Sequence, residues 1–376
     1  MKISRRISNF IVILTFLIMI TVPQIVFHYV KDTLPEDNSE KRKLAEKPEL
    51  KAESLDTYFW DYENYYNDHL PFRSIIRTSW TNFNFHLLNE SIENKVLIGK
   101  HEGDKSSTWL FYQNEEDYNP VKETQGILTF SEDEKNIIAH QMKITTEEFK
   151  KRDIDTYFVI IPNKENLYKE MLPDYIRIYE EETRAEKVLK YIKEDCNMNN
   201  VIYTKKALED AKKENQVYYK QDTHWNNYGA FIGFKDIVEN IEPEYDNFEH
   251  KVDFSEEMLM EMDLTEMLGI KDILKDKEAT VEFMPDITYE EEVIETTNKI
   301  ITTTCENAPI DKAVLIVGDS YREAMIPYFS KIYKKVTYTH RCDYGTYMLD
   351  LYNPDIVICQ LLERYLNSLF EFKLYQ

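Results

Sequence analysis

Five short runs of aliphatic, β-branched and aromatic residues recur along the chain and constrain its fold more than any other feature. They are Thr156–Ile161, Val201–Tyr203, Ala313–Val317, Val336–Tyr338 and Ile356–Cys359. Runs this short, ended by turn formers such as Pro162 and Gly318, read as strands buried on both faces. Helical patterns lie between them. Phe231, Phe234, Val238 and Ile241 recur at i, i+3, i+7 and i+10. Ser131-Glu-Asp-Glu134 has the spacing of a capping box and opens a helix to about Arg152. Strands alternating with helices imply an α/β fold, a mainly parallel sheet covered on both faces.

The N-terminus sets the compartment. Lys2, Arg5 and Arg6 precede an apolar run from Phe10 to Val30 with no formal charge inside it. About 20 apolar residues span a bilayer, and no A-x-A-like cleavage site follows. The basic flank stays cytoplasmic by the positive-inside rule. The expected layout is a cytoplasmic tail over 1–8, a single-pass signal anchor over 9–30 and a charged stalk over 31–54. An extracytoplasmic domain then fills 55–376. Within it, 243–306 is acidic, weakly patterned and reads as an insertion.

The remaining composition excludes several classes. A formal net charge of −23 repels nucleic-acid phosphates, and no basic cluster interleaved with aromatics offsets it. There is no G-x-x-x-x-G-K-[ST] and no G-x-G-x-x-G, which argues against nucleotide-dependent chemistry. No H-E-x-x-H or C-x-x-C occurs, and Asp222 with His224 lacks a third ligand nearby in sequence, so no metal or cofactor is expected. The four cysteines, Cys196, Cys305, Cys342 and Cys359, lack metal spacing and are too few for a disulfide scaffold, although an exported domain can pair two of them.

Two segments carry candidate chemistry. Ala313-Val-Leu-Ile-Val-Gly-Asp-Ser320 takes a buried strand into a tight turn, with a helical pattern beginning at Tyr321. Ligands of parallel sheets bind beyond the carboxyl ends of the strands. A serine there can also serve only as a helix cap. Gln221-Asp-Thr-His-Trp-Asn226 places Asp222 two residues from His224, on the same side of an extended segment. A serine hydroxyl needs a base, and an imidazole base needs a carboxylate to hold its ring. Ser320, His224 and Asp222 are therefore the candidate nucleophile, base and orienter. The other reading of the second segment is a buried Trp225 flanked by incidental polar residues.

At these residues the chain resembles the SGNH-hydrolase-like domain of the alginate O-acetyltransferase proteins AlgJ and AlgX, the group also called DHHW proteins. Asp222-Thr-His-Trp225 and Gly318-Asp-Ser320 carry the resemblance. Asp68-His-Leu-Pro-Phe-Arg73, Gly99 to Trp109-Leu-Phe111, Ile160-Ile-Pro-Asn-Lys164, Asp263-Leu-Thr-Glu-Met-Leu-Gly269 and Pro354-Asp-Ile-Val-Ile358 with Glu363-Arg364 agree with it. Thr223 stands where the nominal motif has its first histidine, and residues 104–108 are inserted before Trp109. Asp-x-His precedes the serine, as in that branch and unlike ordinary SGNH hydrolases. The layout without a following carbohydrate-binding module is closer to AlgJ.

The resemblance implies a three-layer sandwich and O-acetylation of an exported polysaccharide through acyl-Ser320. It also implies a membrane-bound O-acyltransferase partner that passes acetyl groups across the membrane. For the oxyanion or substrate the candidates are the Ser320 N–H with Gly318, Asp319, Asn163, Arg341, Tyr344 and Trp225. A carbohydrate acetylesterase uses the same triad. A non-catalytic scaffold or binding protein of exopolysaccharide assembly keeps the fold without needing the triad.

Overall fold

The computed structural model describes residues 5–34, 43–51, 55–88, 91, 94–257, 262–270, 274, 276–284, 287–371 and 374–375. Residues 1–4 of the expected tail, and 35–42 and 52–54 of the expected stalk, lie outside them. The chain divides into two compact units, residues 1–92 with 266–270, and residues 93–265 with 271–376.

The first unit is helical. Helix α1 (Arg5–Val30) is apolar from Ile7 to Val30, 24 residues that are long and apolar enough to cross a membrane. At about 1.5 Å per residue that stretch is roughly 36 Å, against a hydrocarbon core of about 30 Å. Helices α2 (Tyr58–Asp68) and α3 (Arg73–Phe83) follow, and a π-helical turn at Asn84–Leu88 extends α3. The last turns of α1 touch both. Gln24 Nε2 donates to the Tyr66 hydroxyl at 3.3 Å, and the Phe27 and Phe72 rings meet edge-on at 5.4 Å.

The second unit holds the strands β1 (Val96–His101), β2 (Thr108–Tyr112), β3 (Asp155–Ile161), β4 (Val201–Tyr203), β5 (His250–Glu257), β6 (Asp276–Phe283), β7 (Glu290–Ile294), β8 (Ile300–Thr304), β9 (Ile310–Gly318), β10 (Tyr333–His340) and β11 (Ile356–Leu362). Its helices are α4 (Pro120–Thr124), α5 (Glu132–Lys150), α6 (Lys164–Leu167), α7 (Arg184–Glu194), α8 (Lys205–Lys212), α9 (Asn227–Ile241), α11 (Ile326–Ile332) and α12 (Tyr347–Tyr352), while α10 (Asp263–Leu268) begins in this unit. Seven strands form one sheet in the order β4-β3-β11-β9-β10-β8-β7. The first five run parallel, and β8 and β7 extend the edge antiparallel. The acidic stretch read as an insertion therefore contributes two strands to the central sheet.

Alternation along the strands fills both faces. In β11, Ile356, Ile358 and Leu362 join one apolar cluster with Phe231 and Phe234 of α9 and Phe329 of α11. Val357, Cys359 and Leu361 join the other, with Ile138 of α5, Val188 of α7 and Met348 of α12. A strand with period two that is apolar on both sides is what two helical layers require. Ser131 caps α5 by a capping box with both reciprocal hydrogen bonds in place. Because β3 leads outward to β4 on one side and β9 to β10 on the other, β11 occupies the point where the winding reverses. The carboxyl ends of β3, β11 and β9 open the crevice there.

Candidate active site

Ser320 follows β9 after the single residue Asp319 and is exposed at the rim of the sheet. It starts a 3-10 stretch (Ser320–Met325) that passes into α11, where the sequence suggests an α-helix from Tyr321. The Ser320 hydroxyl donates to His224 Nε2 at 2.6 Å, and His224 Nδ1–H donates to Asp222 Oδ1 at 2.6 Å. Two segments 96 residues apart thus meet in one hydrogen-bonded line.

The loop carrying His224 is closed on itself. Tyr218 and Trp225 form an antiparallel bridge, and Asn226 N donates to Val217 O at 3.0 Å. Asn226 then caps α9, its Oδ1 accepting from Gly229 N at 2.8 Å. A Cβ on Gly229 would stand 2.0 Å from Val217 O, so only glycine fits where α9 crosses the loop. Beneath the loop, the buried Lys164 ammonium donates to the carbonyls of Asp222 at 2.7 Å, Lys220 at 3.2 Å and Tyr219 at 3.3 Å. Tyr321 packs its ring 4.7 Å from the imidazole and donates its hydroxyl to Thr223 O.

A second carboxylate completes the array. Asp263, at the start of α10, donates its backbone N–H to Asp222 Oδ2 at 2.9 Å. Its own carboxylate accepts from Thr223 N at 2.8 Å and from the Thr223 hydroxyl at 2.5 Å. Burial would raise the Asp222 carboxyl, but the His224 hydrogen bond and charge, helped by the Asp263 and His224 N–H groups, hold it at about 2. Burial likewise works against an imidazolium at His224. The hydrogen bond and charge of Asp222, with the charges of Asp263 and Asp319, outweigh it and leave that pKa above the ordinary value. Asp263 itself is raised to about 6 by burial and by the neighbouring Asp222 charge.

Asp222, His224 and Asp263 have ligand atoms within 4.8 Å of one another, so the third donor missing from the local sequence comes from Asp263. These atoms already bond one another and Thr223, and a cation would have to break that set.

With this geometry in view, similarity to known proteins becomes informative. The family described as "SGNH hydrolase-like domain, acetyltransferase AlgX" matches residues 103–330, more than half of the chain. The chain belongs to this family. No curated protein matches it. Among solved structures, a DHHW family protein from Eubacterium siraeum is 16% identical with a TM-score of 0.55, covering 76% of this chain and 98% of that one. Bacillus cereus PatB1 is 17% identical with a TM-score of 0.53, covering 74% of this chain and 100% of its own. PatB1 with a sulfonyl adduct matches equally, at 17% and 0.53. At these identities the likeness is one of fold, an SGNH-like mixed sheet with helices on both sides.

The other residues singled out from sequence are placed differently. Gly318 does not have a positive φ, so a sharp turn is not what needs glycine there. A Cβ on it would stand 2.3 Å from Gln360 Oε1. Asp319 is buried and clamps the turn to β11, its Oδ1 accepting from Gln360 Nε2 at 2.8 Å and Tyr321 N at 3.1 Å, its Oδ2 from Leu362 N at 2.8 Å. Asn163 is fully buried, with its N–H on Glu363 at 2.9 Å and its amide on Glu123 at 3.4 Å. Trp225 is 1% exposed, wedged between Tyr321 and Gly233. Tyr344 donates its hydroxyl to Leu374 O at 2.7 Å. Asp319, Asn163 and Trp225 are thus buried, and Tyr344 is half-buried. Arg341 stays at the rim, its N–H on Gly318 O at 2.9 Å and its guanidinium 4.3 Å above the Tyr365 ring. Among the described residues all four cysteines are free.

Asp263, Thr223, Lys164 and Tyr321 are the supports that sequence reasoning passed over. Asp263 and Lys164 fall inside stretches that agree with the family pattern. Thr223 lies inside the Asp222–Trp225 motif but at the position where it departs from the nominal pattern, and nothing local to Tyr321 marks it.

Proposed function

We propose that this chain is a membrane-anchored O-acetyltransferase that modifies an exported polysaccharide through an acyl-serine at Ser320. The observation that carries the reading is the line from Ser320 Oγ through His224 to Asp222, with both links at 2.6 Å. As the Ser320 oxygen attacks the acyl carbonyl, its proton passes to His224 Nε2. The donor's leaving group departs with that proton. A sugar hydroxyl then gives its proton to His224 as its oxygen attacks the acyl-serine, and Ser320 leaves protonated. Asp222 fixes the tautomer with Nδ1 protonated and supports the transient imidazolium. In this reading the Ser320 N–H stabilises the oxyanion, and Arg341 positions donor or glycan.

Family membership supports acetyl transfer. The polysaccharide acceptor, the acyl-serine, the extracytoplasmic placement and a membrane-bound O-acyltransferase partner are parts of the proposal. PatB1 has been solved with a sulfonyl adduct, and the same reagent class tests this chain. A sulfonyl fluoride should label the wild-type protein at Ser320, and Ser320→Ala should abolish both the label and acetyl transfer. Equal labelling of the variant would sink the role of Ser320.

Esterase activity is the competing reading, favoured by the exposure of Ser320, because water reaches an acyl-serine there as freely as a sugar. Incubation with an excess of acetyl donor and glycan separates the two. Net loss of ester without transfer would make the chain an esterase.

A further inference from the structure

Helix α3 has two different faces. Thr81, Asn84 and Phe85 are buried. Turned away from them, Ile76, Trp80 and Phe83 recur at i, i+4 and i+7, with Leu87 beyond in the π turn, and they are 63%, 54%, 46% and 70% exposed. Trp80 and Phe83 stack at 5.6 Å, so the stripe is continuous. A helix with one face already buried does not need a second apolar stripe in water, and such a patch marks an interaction surface.

Two observations name its occupant. The first is position. Phe72 caps the start of α3 and meets Phe27 of α1, while Tyr66 of α2 accepts from Gln24. Gln24 and Phe27 lie within about 9 Å of the end of α1 at about 1.5 Å per residue. If α1 spans the bilayer, α3 begins where hydrocarbon gives way to headgroups, the depth that tryptophan favours. The second is charge. From Arg73 to Leu88 the segment holds Arg73, Arg77 and His86 and no acid, in a chain of net charge −23. Arg73 also faces Asp68 at 4.0 Å. A basic amphipathic helix with aromatic residues on its apolar side is the composition of an interfacial helix, drawn to anionic headgroups.

We infer that α3 lies in the membrane–water interface of a bilayer carrying anionic lipid, with the Ile76–Trp80–Phe83–Leu87 stripe immersed. The inference rests on reading α1 as the span, and the test keeps the two apart. Among the four tryptophans, Trp109 and Trp225 are each 1% exposed, and α1 contains none. Trp60→Phe therefore leaves Trp80 as the exposed reporter. The full chain carrying that change is placed in nanodiscs of phosphatidylcholine and phosphatidylglycerol brominated on the upper acyl chain.

Seated at headgroup level, Trp80 should lose roughly half its emission relative to unbrominated discs and resist acrylamide. The additional change Trp80→Phe should remove the effect. Quenching by acrylamide but not by bromine would overturn the inference. Protection from both would do so too, since protein would then cover the stripe. A chain that never enters the discs would refute the span itself.

Discussion

Asp263 shows how far this site depends on a residue outside its two motifs. Its negative charge is one of the causes that lift His224 above the ordinary histidine value, and its own pKa lies at about 6. The base works neutral, so the rate rises with pH through the His224 pKa and levels off above it. Asp263→Asn keeps an oxygen for Thr223 N and removes the charge. The acidic limb of the pH–rate profile should therefore move to lower pH. It should also become steeper, because in the wild type protonation of Asp263 below about 6 lowers the His224 pKa in turn and stretches the limb. Profiles of kcat for the two proteins check this, and a limb that stays or moves upward would refute it. Ser320, His224 and Asp222 were legible because spacing and a strand–turn context advertise them. Asp263 was not, because its partner Thr223 lies 40 residues away and only folding brings them together.

At the level of elements, the parallel strands announced themselves as unbroken apolar runs, and four of them extend by a few residues past the readable cores. Strand β4 coincides with its run, Val201–Tyr203. By contrast, β7 is exposed along its length with the acidic sequence Glu290–Ile294, so no burial pattern revealed that it closes the sheet edge. The one-turn helix α6 was equally silent, yet it delivers Lys164 under the loop that carries Asp222 and His224. Burial pulls the Lys164 pKa down, while the charges of Glu165, Asp263, Asp222 and Asp276 oppose that. Replacing Lys164 by Met keeps the stem and strands three carbonyls. Each unsatisfied buried polar group costs about 1–3 kcal/mol, so partial relaxation leaves a loss of roughly 2–4 kcal/mol. Urea unfolding should report that loss, and kcat should fall more than KM rises, because the loop holding Asp222 loosens. Unchanged kcat in a folded variant would reduce Lys164 to a structural residue.

For the molecule as a whole, the proposed transferase makes charge the expected filter on its acceptors. The net charge is −23, the hydrogen-bonded array at the site contains Asp222 and Asp263, and the charge of Asp319 also acts on His224. A cavity of about 290 Å³ that reaches Lys220 of the His224 loop is lined by Glu102, Asp104 and Asp276, with Lys220 and Lys277 balancing only part of that charge. At the rim Arg341 is the one cation that the site residues singled out above present to a ligand. A polyuronate would meet net repulsion, whereas a neutral or amino-sugar polymer would not. Repulsion of this kind acts over the Debye length, which shrinks from about 30 Å in dilute buffer to about 8 Å at physiological salt. KM for a polyuronate acceptor should therefore fall several-fold as salt is raised over that range. KM for a neutral glycan should stay flat, and kcat should hold for both, since salt screens the approach and not the bonded line at Ser320. A polyuronate that binds more tightly at low salt would mean that a local basic groove, and not the overall charge, selects the acceptor.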